Sequence, residues 1–183
     1  MCDELRKLMA QADNTFRGRP LSGHVEIDET LVGGRYSRKR GKPSENKTVV
    51  LAMVERGGRM VAGPVPDVTT YTLEGIINEN VAEGTTISTD ENRAYSGLKH
   101  GYQHGTVNHT EKEYVRGIHH VNTLESHWSH FKRAVKGTHV HISTKHAWKY
   151  VAEFTYRRNK RHSHWSMFNP LVHAFALPRL QDA

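Results

Sequence analysis

The sequence predicts an α/β domain, a mixed five-stranded sheet flanked by helices. Three observations carry this. Short runs rich in β-branched residues, one pair joined at Gly57-Gly58, read as strands in the first half. Apolar residues at helical spacing follow in the 70s and again after residue 122. The resulting order, β-β-β-α-β-α-β-α-α, is that of a sheet with helices packed on its faces.

Taken in order, the chain opens with a short polar helix from Asp3 to Ala12 and a Gly/Pro-containing linker, so residues 1–21 read as a helix and connector. Residues 24–28 alternate as a short strand ending at Asp28, and Gly33-Gly34 breaks the chain. Arg35 to Lys47 is a charged loop, expected to be mobile. Residues 47–55 are a buried-type strand, and Arg59 to Pro64 pairs back against it. Thr72 to Ala82 is a helix with Leu73, Ile76, Ile77 and Val81 on one side. Thr85 to Thr89 is a strand delivering Asp90, residues 92–98 a short helical segment, and Gly105 to Asn108 a fifth strand. Two strong helices follow, Thr123 to Lys136 and Ser143 to Asn159. The main domain spans 22–175, and 176–183 is a tail.

Bulk properties narrow the function. Lys plus Arg number 26 against 19 Asp plus Glu, a net charge of +7 that favours polyanionic partners by long-range attraction. A generic basic surface is the plainer account of the same charge. The single cysteine, Cys2, excludes a disulfide framework and a CxxC zinc site. No apolar run is long enough to span a bilayer, so no membrane partner is expected.

Three acidic residues are the sharpest chemical signal: Asp28 and Asp90 after strands, and Glu125 on a later helix, with 34 residues between the last two. Carboxylates so placed form a cage for two hard divalent cations that activate water or a hydroxyl toward phosphate. Each has a blander account, because an Asp after a strand often starts a turn or caps a helix, and Asp90-Glu91-Asn92 suits a cap. On a helical wheel Leu124, Trp128, Phe131 and Val135 form the core side, while Asn122, Glu125, Ser129 and Lys132 lie about a quarter-turn away. Lys132 is thereby placed to touch a phosphate beside Glu125, unless the pair is merely a solvated face. Trp128, Phe131, Tyr150 and Phe154 are expected in the core.

Asp28-Glu29-Thr30-Leu31-Val32-Gly33-Gly34, the run from His120 through Asn122, Glu125 and Trp128 to Lys132-Arg133, and Tyr150 through Glu153-Phe154 to Arg157-Arg158-Asn159 together resemble one family. The chain is similar to the DDE transposases of bacterial insertion sequences, of the ISXO type, which share the ribonuclease H-like core of retroviral integrases. The resemblance covers residues 22–175.

It implies metal-dependent DNA strand cleavage and strand transfer, with two Mg²⁺ or Mn²⁺ ions held by Asp28, Asp90 and Glu125. Asn122 is often treated as catalytic in such proteins. Glu125 is preferred as third ligand, because an anionic carboxylate binds a hard cation better than an amide. DNA contacts are expected from Lys132, Arg133, His120, His141 and Arg158, and from Arg38, Lys39 and Arg40 in the charged loop. The implied partners are transposon ends and target DNA, bound by a homodimer in a bacterial, nucleoid-associated cytoplasmic setting. Relatives of this type carry an N-terminal zinc ribbon or helix-turn-helix. Cys2 cannot build a ribbon, so the expectation is either a truncated copy or end recognition by another DNA-reading module.

Alternatives are a stand-alone metal-dependent nuclease and a catalytically silent DNA-binding remnant. A transition-metal site at His127 and His130 is disfavoured, because no carboxylate–His set accompanies it.

Overall fold

The computed structural model describes residues 2–15, 19–33, 47–108, 115–139, 142–162 and 164–176. Its five strands are β1 (His24–Val32), β2 (Thr48–Glu55), β3 (Met60–Val65), β4 (Thr86–Thr89) and β5 (Gln103–Thr106). Its α-helices are α1 (Cys2–Thr15), α2 (Thr70–Asn80), α3 (Asn122–Ala134), α4 (Ala147–Asn159) and α5 (His164–Ala176), with a 3₁₀ stretch over Arg93–His100.

The sheet runs β3-β2-β1-β4-β5. β1, β2 and β3 form an antiparallel meander, while β4 joins β1, and β5 joins β4, in parallel. Pleat alternation sorts side chains onto two faces. Val25, Ile27, Leu51 and Met53 point to one face and pack under Leu73 and Ile77 of α2 and Tyr95 of the 3₁₀ stretch. Val50, Ala52, Val54 and Met60 point to the other and pack under Leu124, Trp128 and Phe131 of α3 and Val151 of α4. These are the aromatic and aliphatic residues that helical periodicity marks as core.

A further layer covers α4. Ala12, Tyr156 and Ala174, one each from α1, α4 and α5, form a small apolar cluster. Polar contacts tie α1 down: Arg6 Nε donates to Glu153 at 2.7 Å, and Lys149 Nζ donates to Asp3 at 3.1 Å. Lys149 is only 1% exposed. Asn159, the last residue of α4, exchanges hydrogen bonds with Met60 N–H and C=O at 2.8 Å and so pins the edge strand β3.

Three elements depart from expectation. β1 continues four residues past Asp28, because Glu29 to Val32 pair with Thr48–Leu51 of β2; Asp28 is therefore inside the strand rather than at its end. The fifth strand lies earlier, at Gln103–Thr106. The helix α5 is additional, and it carries Pro170 inside it. Gly33 closes β1 with φ +84°, and a Cβ there would meet the Ile142 carbonyl oxygen at 2.9 Å. Only glycine suits both the backbone conformation and the close approach.

Candidate active site

The sheet register brings two of the carboxylates together. In the parallel β1/β4 pair, His24 lies opposite Thr86 and Glu26 opposite Ser88. One more pleat at the same offset sets Asp28 level with Asp90, just beyond the C-terminal end of β4. Asp28 shares the face of β1 that α3 covers. Asp90 also shapes the turn it begins: its Oδ1 accepts from Asn92 N–H at 3.0 Å, and Asn92 in turn caps the 3₁₀ stretch by accepting from Ala94 N–H at 3.0 Å. The cap of the 3₁₀ stretch is thus Asn92 rather than Asp90. Asn122 and Glu125 occupy the first turn of α3, both exposed.

The charges feel one another. Burial, then the carboxylates of Glu29, Asp90 and Glu125, push the Asp28 carboxyl up to about 7. Burial and the neighbouring carboxylates together disfavour the anionic form of Asp28. Carboxylates with an adjoining amide are all oxygen donors, the set that a hard divalent cation takes. Among the described residues, however, no group of three His, Cys, Asp or Glu side chains is drawn together closely enough to hold an ion. The donor chemistry fits a divalent cation, and the convergence of the third carboxylate is not in place.

Two glutamates that sequence reasoning passed over hold this site. Glu29, beside Asp28 but on the opposite face, accepts from Asn92 Nδ2 at 2.6 Å and from the Tyr95 hydroxyl. It ties β1 to the segment that carries Asp90. Burial first and the Glu29 charge next raise the Tyr95 phenol far above its ordinary range, so it stays a donor. Glu26, 0% exposed, does the same for α3. Its carboxylate accepts from Thr123 N–H and from the Thr123 hydroxyl, both at 2.9 Å, and from Arg56 Nε at 2.9 Å. The N-cap residue of α3, Val121, supplies no side-chain cap, so Glu26 satisfies a helix-end amide from across the interface. Arg56 also donates to the carbonyls of Ile118 at 2.6 Å and His120 at 3.1 Å, fixing the approach to the helix. The strand that bears Asp28 therefore sets where Glu125 stands.

The expected DNA contacts divide. Lys132 is exposed and lines a cleft of about 770 Å³ with Glu29, Gly33 and Lys47, along the C-terminal part of β1. Arg133 is exposed on the outer side of α3. His120 is partly buried, its Nδ1 3.2 Å from Glu26 Oε1. Arg158 is half-buried near the end of α4. Arg38, Lys39, Arg40 and His141 lie outside the described residues.

A five-stranded mixed sheet with this strand order, helices on both faces and acidic residues at neighbouring parallel strands has the ribonuclease H-like architecture of DDE transposases. Residues 20–159 match the ISXO2-like transposase domain, and the chain belongs to that family. A protein of Halobacterium salinarum, described as an uncharacterized protein in transposable element ISH50, is 32% identical over 156 residues, covering 75% of this chain and 53% of the relative. The chain thus spans about half the length of that curated relative. That organism is archaeal, so the bacterial setting expected from the sequence does not follow from it. Among the described residues no helix is long and apolar enough to cross a membrane.

Proposed function

We propose that the chain is a catalytic domain that cuts DNA strands at transposon ends and joins the freed 3′-hydroxyl to target DNA. What supports this reading is the β1/β4 register, which carried one pleat further brings Asp28 level with Asp90, together with the charges of Asp90 and Glu125 that help to raise the Asp28 carboxyl. Asp28, Asp90 and Glu125 are the proposed holders of two Mg²⁺ or Mn²⁺ ions. When bound, the ions would activate the attacking oxygen and stabilise the leaving one in an in-line displacement. The chain's own residues supply the frame. Asp28 on β1 and Asp90 just beyond β4 supply a pair of carboxylate donors, and Glu125 would complete the set from the first turn of α3. Asn122, one turn before Glu125, offers an amide to the same region. Lys132, two turns beyond Glu125, contacts a DNA phosphate along the cleft it lines. The active species is a homodimer on DNA, because two ends must be cut and joined together.

The test is a labelled-DNA assay with Mg²⁺ or Mn²⁺, wild type beside Asp90→Asn, scored for nicks and joined products. Metal-dependent joining that disappears in the variant is expected. Nicks without joining would assign a nuclease, and DNA binding with neither product a silent remnant.

A further inference from the structure

α3 has two flanks, and the proposed chemistry uses one. At about 100° per residue, Glu125 and Lys132 lie to one side of the apolar stripe Leu124-Trp128-Phe131. Thr123, His127 and His130 fall on the other side, roughly half a turn away from Glu125. That second flank faces the end of α4, and the two helices enclose a cleft of about 460 Å³ whose other walls are Phe154, Arg157, Arg158 and Arg161.

The lining contains no carboxylate. Arg157 is paired with Glu153 at 2.8 Å. Arg158 is different: its Nε is closed off from solvent and has no hydrogen-bond partner among the described residues. Burial and the charge of Arg161 both lower its pKa, and the acid that acts on it, Glu26, is already engaged by Arg56 and Thr123. His127, half-buried, and His130, exposed, line the same cleft. Arg161 Nη1 donates to the Arg158 carbonyl at 2.8 Å, so two guanidinium groups line one cleft without an acid in its lining, beside Ser126 and two imidazoles. A group with several acceptor oxygens and a negative charge would satisfy all of them at once.

We propose that the α3–α4 cleft is a second phosphate-binding site, one that takes a backbone phosphodiester of a polynucleotide on the far side of α3 from the carboxylates. The anion chemistry stands on the cleft alone, while the polynucleotide identity rests on the function proposed above. Spacing supports it: an α-helix with side chains is about 10–12 Å across, close to the roughly 12 Å width of the DNA major groove. One duplex can therefore meet Lys132 on one flank and Arg158 with Arg161 on the other.

The experiment is fluorescence anisotropy of a labelled duplex over a salt series, using the full chain, wild type beside Arg158→Gln/Arg161→Gln. The double variant is expected to lower the slope of log affinity against log salt by about two and to weaken binding roughly tenfold or more. Lys99→Gln, an exposed cation elsewhere, should leave the slope nearly unchanged. If the half-buried Arg158 change compromises folding, Arg161→Gln/His130→Gln alters exposed residues only and should still lower the slope by about one. A wild-type slope in that second variant, with an unchanged melting profile, overturns the site and leaves the proposed function standing. Failure of the wild type to bind any duplex sinks the polynucleotide identity and the proposed function together. The imidazole NMR signals of His127 and His130 separate the two ligand sources. Shifts on adding duplex support the proposal, and shifts with inorganic phosphate but none with duplex overturn the polynucleotide assignment.

Discussion

Asp28 is the residue on which the site and its cost to the fold meet. Its carboxyl, raised to about 7, sits in a partly buried field of three other carboxylates. In the unfolded chain an Asp titrates near 4. Below that value both states are protonated and no penalty exists. Between about 4 and 7 the unfolded chain releases the proton while the folded one keeps it, so folding stability falls as pH rises and stays reduced above 7. Asp28→Asn removes the penalty. The variant should lose metal-dependent cleavage, yet in metal-free buffer melt a few degrees higher than wild type at pH 8. That gap corresponds to on the order of 1–3 kcal/mol and should close near pH 4. Paired thermal melts at the two pH values measure it, and an equal gap at both would mean that the Asp28 charge is not strained. His24, His104 and His127, each held at about 4 mainly by burial, act in the opposite sense. They lose stability as pH falls from about 6.5 toward 4, and because both proteins carry them, the comparison cancels their effect. Asp28 and Asp90 were legible as chemistry because an acid beside an apolar run is conspicuous. Glu26 was not, since its partners Arg56 and Thr123 lie 30 and 97 residues away in sequence and only the fold discloses them.

At the scale of elements, β1 and α3 are coupled through Glu26, and that coupling is what a local sequence reading misses. Alternation over residues 24–28 marks a strand, but its continuation through Thr30 and Val32 depends on pairing with β2, which is a long-range fact. α5 was missed for a related reason. Pro170 inside a helix removes a backbone donor and argues against helix in a local reading. Here Met167, Leu171 and Ala174 pack beside Tyr156, and tertiary burial outweighs that local cost. The two long helices, by contrast, carried enough apolar periodicity to be placed within a few residues. The coupling is testable. Glu26→Ala leaves Arg56 facing a vacated buried site and deprives the Thr123 amide of its acceptor, so a loss of about 3–5 kcal/mol is expected. Hydrogen exchange should show Thr123 losing protection first, with the middle of α3 still protected by Leu124, Trp128 and Phe131. Thr123→Val removes only the hydroxyl bond, keeps the amide bond, and should cost about 1 kcal/mol. Uniform loss of protection along α3 in Glu26→Ala would assign Glu26 to general packing rather than to anchoring the helix start.

For the molecule as a whole, the question is whether α1 is an appendage or part of the folding unit. Composition suggests an appendage: α1 is polar and is followed by a Gly/Pro-containing stretch. Its contacts argue otherwise. Asp3 meets the ammonium of Lys149, a side chain only 2% exposed. Arg6 reaches Glu153 at 2.7 Å and lies 4.2 Å over the Tyr150 ring. Asp13 accepts from Asn159, the residue that also clamps β3, and Ala12 closes the apolar cluster with Tyr156 and Ala174. Removing residues 1–15 would strip Lys149, Glu153 and Asn159 of α4 of these partners and open that cluster at the same time. Burial of charge without its counter-charge is among the costlier defects in a fold. The truncated chain should therefore melt well over ten degrees lower than the full chain, and α4 amides around Lys149 and Glu153 should lose exchange protection together with those of β3 at Met60. Because α4 forms one wall of the cleft that faces the far flank of α3, duplex binding should weaken along with stability. An appendage predicts the reverse: an unchanged melt, α4 and β3 still protected, and a DNA affinity altered only by the few charges removed. Thermal unfolding followed by exchange on the same pair of proteins decides between them.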